Sequence, residues 1–484
     1  MLSLALLAGR LAGLVRELML ASVFGVSATA DTAVLLLTLP DLLINLLISG
    51  GLSAALVPRF SSLDGHDAMV LMRYASMAVI LLFSLVGVVL VAWPNLAFGL
   101  LAPGLAAPFE PGAAVLVAVA LAIPLTGASG VAGAYLNAGQ RYFVTGCGTL
   151  FFNLAVVAAM LLALRAGEPL LLLAFGIAAG AALRWSAQLI TLPAGVWRVA
   201  ARGPVWDRPL MRAFATAALS SALLLLAPLA VRAMASTVSE GAISSFNYAQ
   251  KLIELPIGIL ITSISTVALT RLSALKAAGD DAALVRAAGH SVRHALLVAI
   301  SVAAIGCWFA DSIVQVLFGR GQMNQEALAR VAGLTRIALL TVPFVALSSM
   351  AMARLNAVGR SARLLRPTLG SLLLLPVLAL PGLYWSSEQG LMWAVVVFQA
   401  VVAIWLAWEA GYRLAGAEAV LDRNIVPYLG AVAALAVGAA ACDRAFAPQN
   451  HWLRLLLAGT AFALVLMPLR RFLRATPGTS LVAP

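Results

Sequence analysis

Charge is what this sequence lacks most. Only 10% of its 484 residues are Asp, Glu, Lys or Arg, while 63% are apolar and the mean hydropathy is +1.02. Soluble domains carry about 25% charged and roughly 45–50% apolar residues. A water-soluble enzyme, a disordered chain and a nucleic-acid-binding protein are therefore excluded. Cysteine is nearly missing too. Cys147, Cys307 and Cys442 are far apart, with no Cys-x-x-Cys and no Cys/His cluster, which argues against a disulfide framework, a zinc centre or an iron–sulfur centre. The histidines His66, His290, His294 and His451 read as loop or span-end residues and suggest neither a metal site nor a proton relay. No cofactor and no metal are expected. Long polar segments are also missing: the longest connections, 94–111 and 270–290, leave no room for a soluble domain.

What is present is one apolar run after another. A helix needs about 20 residues to cross a bilayer. Runs bounded by Gly, Pro and charge give about fourteen spans, among them 2–24, 31–57, 142–164, 169–196, 210–236, 241–269, 291–317, 327–356, 425–446 and 452–469. The expected fold class is an all-α polytopic membrane protein. Met1-Leu2-Ser3 offers no positive n-region, and no small-residue cleavage site follows, so 2–24 reads as the first span rather than a cleavable signal.

Lys and Arg set the orientation. Most of them, such as Arg59, Arg73, Arg141, Arg202, Arg271, Arg360 and Arg470, fall on the even-numbered loops and the C-terminal tail. Few, such as Arg165, Arg320 and Arg444, fall on the other side. Both termini are thereby predicted to be cytoplasmic, and this bias accounts for most of the +12 net charge. A weak repeat is visible as well. Leu39-Pro40, an apolar stretch and Ala55-Leu56-Val57-Pro58-Arg59-Phe60-Ser61 are echoed by Leu255-Pro256, an apolar stretch and Ala268-Leu269-Thr270-Arg271-Leu272-Ser273. An even offset between copies predicts two six-helix lobes related by an axis along the membrane normal. The lobes are residues 1–200 and 201–415, and 416–484 adds two spans and a cytoplasmic tail.

The informative residues are charges inside spans, where each costs about 2.5–3.5 kcal/mol at a helix centre. The first span carries Arg10, Arg16 and Glu17. Arg10 and Glu17 lie within about 20° of one face, and Arg16 about 120° away. Gly9 and Gly13 form a small-xxx-small pair suited to close helix approach. Two readings of these charges stand side by side: an internal ion pair of Arg10 with Glu17 or Asp31 that holds helices together, or a cationic cavity for an anionic headgroup, whose oxygens the planar Arg fork suits. Asp31 and Asp41 read as the start of the second span. Lys251 and Glu254, three apart on one face, directly precede Pro256. Pro256 and Pro40 free a backbone carbonyl and kink their helices, so both are candidate hinges. Arg184, Asp311, Arg336 and Glu409 read as helix-end or packing charges.

Several of these residues resemble one family's motifs. Gly9-Arg10-Leu11-Ala12-Gly13-Leu14-Val15-Arg16-Glu17, then Phe24-Gly25, then Thr29-Ala30-Asp31, is similar to the opening of the MurJ/MviN lipid II flippases. Leu39-Pro40-Asp41-Leu42-Leu43, Leu52-Ser53 and Val57-Pro58 continue the likeness. Tyr248-Ala249-Gln250-Lys251-Leu252-Ile253-Glu254-Leu255-Pro256 resembles the family's helix-8 motif. The resemblance implies the fold of the MOP exporter superfamily: two lobes around a cationic cavity, and two terminal helices lining a groove for a polyprenyl tail. It implies alternating access that moves undecaprenyl-pyrophosphate-linked peptidoglycan precursor from the inner to the outer leaflet of the bacterial cytoplasmic membrane. It implies substrate-binding roles for Arg10, Arg16, Asp31, Lys251 and Glu254. The partners implied are a lipid-linked sugar pyrophosphate, membrane lipids and cell-wall synthesis proteins, with no nucleic acid.

The sequence also departs from that pattern. Ile44 and Asn45 stand where the family usually has Arg-Arg, Ser49 where it often has Glu, and Lys251 where it has Arg. The acids of a sodium site are missing from helices 7 and 11, and helix 12 has only Glu409 at its end. These departures keep two alternatives open: a flippase for another polyprenyl-linked sugar, of exopolysaccharide or O-antigen type, and a non-transporting envelope scaffold. A membrane glycosyltransferase would need a larger extracytoplasmic domain, so no enzyme is expected. Multidrug export would call for an apolar or acidic cavity.

Overall fold

The structure, a computed structural model, describes residues 2–44, 51–105, 111–200, 211–212, 226–385, 387–412, 430 and 451–474. The described regular elements are helices. In hydrocarbon every backbone N–H and C=O has to be satisfied within its own segment, and a helix does this for an unbroken apolar run. The first group comprises α1 (Leu2–Phe24), α2 (Ala28–Ile44), α3 (Gly51–Ser62), α4 (Gly65–Ala92), α5 (Pro94–Leu101), α6 (Ala113–Ala138), α7 (Tyr142–Ala163), α8 (Pro169–Leu189) and α9 (Leu226–Ser236). Then follow α10 (Ala242–Pro256), a π-helical turn (Ile257–Ile261), α11 (Thr262–Ala277), α12 (Asp281–Phe318), α13 (Gln325–Leu339) and α14 (Val342–Ala357). A 3-10 turn (Ser361–Leu364), α15 (Leu365–Tyr384), α16 (Glu388–Glu409) and α17 (His451–Arg474) complete them.

Local chemistry marks the ends. The side chains of Asp64, Asp280, Asn324 and Ser387 accept the N–H of Asp67, Ala283, Ala327 and Gly390, satisfying donors that a helix start leaves open. At the other end, Gly279, Gly359 and Gly411 follow α11, α14 and α16 at positive φ, the left-handed conformation that stops a helix.

The chain divides into two compact units. One is Met1–Asn247 with Arg320–Met323; the other is Tyr248–Gly319 with Asn324–Pro484. In the first, α6 packs against α4 and α8, α7 packs against α8, and α1 lies along α7. The contacts depend on small residues. A Cβ at Gly180 would stand 2.9 Å from the Phe152 carbonyl oxygen, so only glycine lets α8 come that close to α7. Gly9 and Gly13 face Thr149 and Asn153 of α7, and Asn153 Nδ2 donates to the Gly9 carbonyl at 3.1 Å. In the second unit α12 packs on α13, α14 and α17, and α15 on α16.

Nine helices among the described residues are long and apolar enough to cross a membrane. The expected all-α polytopic membrane architecture holds. Much of the predicted spans 210–236 and 425–446 lies outside the described residues, as do Asn45 and Ser49. Four expectations change. The 270–290 connection is helical except for Ala278–Asp280, because α11 and α12 run on as polar helix beyond their apolar stretches. The 94–111 connection contains α5, opened by Pro94 at its first helical position. His290 and His294 lie within α12 rather than at a span end. Asp41 stands near the end of α2, not the start, because the described part of that span is two helices, α2 and α3.

Candidate functional site

The apolar length of α1 puts Arg16 and Glu17 in mid-helix, and both are buried, at 5% and 1% exposure. Arg16 Nη2 lies 2.8 Å from Glu17 Oε1 and 3.0 Å from Asp41 Oδ2 of α2. The second Glu17 oxygen accepts Asn247 Nδ2 at 2.7 Å. One guanidinium is thus held between two carboxylates, with an amide fixing the more deeply buried of them. Isolated, such a charge would cost several kcal/mol of desolvation, which only close pairing and further hydrogen bonds offset. Arg16 Nε is buried with no hydrogen-bond partner, so the network does not use the whole fork.

Asp31 does something different. Its Oδ1 accepts the Ser244 N–H at 2.7 Å and its Oδ2 the Gly241 N–H at 2.9 Å. These amides form the start of α10. Gly241, at φ 77°, has no side chain with which to cap the helix, so a carboxylate from α2 serves instead. A negative charge there also meets the positive end of the helix dipole.

Arg10, two turns before Arg16 on α1, is exposed. Lys251 and Glu254 belong to the other unit and form an i,i+3 pair at 2.8 Å, with the glutamate side chain 59% exposed. Directly after them Pro256 lacks an N–H, and the backbone passes through the π turn Ile257–Ile261 before α11 resumes. That is a known cause of local bending. Pro40 is buried within α2. The structure therefore gathers Arg16 and Asp31 in the first unit, each with fixed partners, and pairs Lys251 with Glu254 in the second.

Four participants carry no site role in the sequence reading. Glu17 and Asp41 are visible there as charges inside spans, a signal that could have nominated them. Asn247 carries no such mark. Arg184, which reads from sequence as a helix-end or packing charge, is 2% exposed inside α8. Asp64, His66 and Asp67 form the one group among the described residues whose atoms could converge on a metal. Asp64 and Asp67 are exposed, Asp64 already caps α4 through the Asp67 N–H at 2.7 Å, and His66 Nδ1 lies 3.2 Å from Asp67 Oδ1.

These features define a class: a multi-pass helical membrane protein built around a buried network of arginine and carboxylate. The sequence profile described as "Lipid II flippase MurJ" matches residues 20–355. The chain belongs to the MurJ lipid II flippase family. It is 26% identical to a probable lipid II flippase MurJ of Rhizobium meliloti (strain 1021), over 70% of this chain and 66% of that protein. It is 29% identical to the lipid II flippase MurJ of Burkholderia cenocepacia, over 67% of this chain and 66% of that protein. The chain thus spans about two thirds of the length of these relatives. A solved structure of lipid II flippase MurJ in an inward closed conformation has the same fold, with a TM-score of 0.83 at 16% identity over 98% of this chain and 99% of that one. Arg10, Arg16 and Glu17 precede the profile-matched stretch, so their part in the site rests on their own motif and geometry.

Proposed function

We propose that this protein is a flippase for a polyprenyl-pyrophosphate-linked sugar, with lipid II as its first candidate, working by alternating access in the bacterial cytoplasmic membrane with both termini in the cytoplasm. The observation that carries the reading is the buried Arg16–Glu17–Asp41 network joining α1 and α2, in a member of a family described by that activity. A buried arginine held by carboxylates is costly as a mere brace and useful as a phosphate ligand, because phosphate oxygens compete for the same donors. Arg10 and Arg16 receive the pyrophosphate, Lys251 adds a point charge, and Glu254 orients Lys251. Asp31 holds the start of α10 in place. Pro40 and Pro256 are the hinges. Membrane lipids and cell-wall synthesis proteins are its partners.

Ile44 in place of arginine favours a second substrate, another polyprenyl-linked sugar. Complementation of a conditional lipid II flippase strain separates the two. Wild type is expected to support growth, and Arg10→Ala and Arg16→Ala to abolish it at normal membrane levels. Full complementation by both variants refutes the cationic mechanism. Failure of wild type with success of Ile44→Arg moves the substrate to the other sugar. For topology, alkaline phosphatase fused after Pro484 is expected to be inactive, and fused within 318–326 active; the reverse pattern sinks the orientation.

A further inference from the structure

Arg184 is the most unusual charge in the first unit. It is 2% exposed, and its Nε and Nη1 are buried without a hydrogen-bond partner. Buried guanidinium nitrogens left unpaired are expensive, so this position calls for an explanation. The surroundings are shaped to admit the side chain. Its Cγ and Nε lie 3.0 and 3.1 Å from where a Cβ would stand at Gly148 of α7, so only glycine leaves the arginine room. One turn further along α8, Gln188 is fully buried with both side-chain polar atoms unpaired, and it lies against Gly133 of α6. The short α6–α7 and α7–α8 connections make α6 and α8 run the same way. Ser129, one turn before Gly133 and also buried and unpaired, therefore stands at the level of Arg184.

The charges near Arg184 complete the picture. Helix α2, which carries Asp41, packs against α8, which carries Arg184. Asp41 meanwhile pairs with Arg16 at 3.0 Å, and its side chain is 35% exposed, so it is the loosest member of the network. Counted together, Arg16 and Arg184 balance Glu17 and Asp41. Two arginines thus lie on helices that pack against the one carrying this partly exposed carboxylate, and of the two Arg16 holds it here.

We infer that Arg184 is a positioning residue for substrate binding: it is the alternative partner of Asp41, and by taking that carboxylate it releases Arg16 to bind phosphate. The inference rests on the flippase reading. It explains why α8 keeps an unpaired arginine and why α7 keeps a glycine beside it. It also supplies what Ile44 does not, a further arginine in the N-terminal unit, acting through Asp41 rather than on the substrate. Without Arg184 the network carries a net negative charge, and Asp41 stays on Arg16.

The test uses the full-length protein in detergent with undecaprenyl pyrophosphate in mixed micelles as the probe. Arg184→Met, which keeps bulk and removes charge, is expected to weaken binding about tenfold, the size of coupling between neighbouring charges. Adding Asp41→Asn to Arg184→Met is expected to restore most of that loss, because Arg16 is then free. Arg184→Lys, which keeps the charge, is expected to bind nearly as wild type. Unchanged binding by Arg184→Met overturns the inference, and so does a loss that Asp41→Asn fails to relieve, which marks a direct ligand or a packing role. Failure of the wild type to bind the probe refutes the flippase reading alone. In that case the unfolding temperatures of the wild type, Arg184→Met, Asp41→Asn and the double variant decide the coupling: non-additive shifts support it and additive shifts overturn it. If Arg184→Met alone does not accumulate, recovery of folded protein by Asp41→Asn supports the coupling and its absence overturns it.

Discussion

Two ion pairs of this protein live under different conditions, and in the first of them Glu17 is held by Arg16 rather than by the Arg10 that the sequence suggested. Arg16 and Glu17 are nearly sealed from solvent and are tied to Asp41 and Asn247 on other helices. Lys251 and Glu254 sit three residues apart on one helix, with the glutamate more than half exposed. Both pairs have a nitrogen–oxygen distance of 2.8 Å, so distance does not distinguish them. Burial and connectivity do. An exposed i,i+3 pair contributes a few tenths of a kcal/mol and is screened by salt. A buried pair gains little as a pair but costs heavily when half of it is removed.

The sharpest way to break the comparison is Glu17→Ala. It leaves Arg16 with Asp41 alone and Asn247 without its acceptor in a buried site, and is expected to cost up to about 3–5 kcal/mol, seen as a large fall in unfolding temperature in detergent and loss of complementation. Asp31→Ala comes next. It uncaps α10 and is expected to cost about 1–2 kcal/mol, with Asp31→Asn intermediate because one neutral oxygen still accepts a backbone N–H. Glu254→Ala is the smallest: a double-mutant cycle with Lys251→Ala is expected to return less than about 0.5 kcal/mol. Lys251→Arg is expected to complement as well as wild type or better. A Glu254 effect as large as that of Glu17 would erase the distinction between the two sites.

Much of the fold was legible because glycine, proline and apolar length punctuate it. The predicted 2–24 and 142–164 match Leu2–Phe24 and Tyr142–Ala163 within a residue. The 270–290 stretch misled because hydropathy reports what lies in lipid, not what is helical. Asp281, Arg286 and His290 belong to the same helix as the apolar residues after them. At the site, Arg16 and Glu17 stood out since no lipid-facing helix tolerates them. The role of Asp31 was hidden: its amide partners lie 210 and 213 residues away, and backbone donors leave no trace in a side-chain alphabet. The sequence left Arg184 as a helix-end or packing charge because its depth depends on which way α8 is rolled against α6 and α7, and small residues on all three helices make that choice.

The cap that Asp31 provides to α10 has a consequence for biosynthesis. The carboxylate leaves the ribosome 210 residues before the Gly241 amide that it meets. At about 5–20 residues per second that interval is roughly 10–40 s. During it a buried acid waits in the membrane without its partner, and α10 then emerges with its leading amides open. Completion of the first unit is therefore scheduled by a late-arriving segment. A nascent chain stopped short of Gly241 would hold an unfinished unit, exposed to quality-control proteases at that stage.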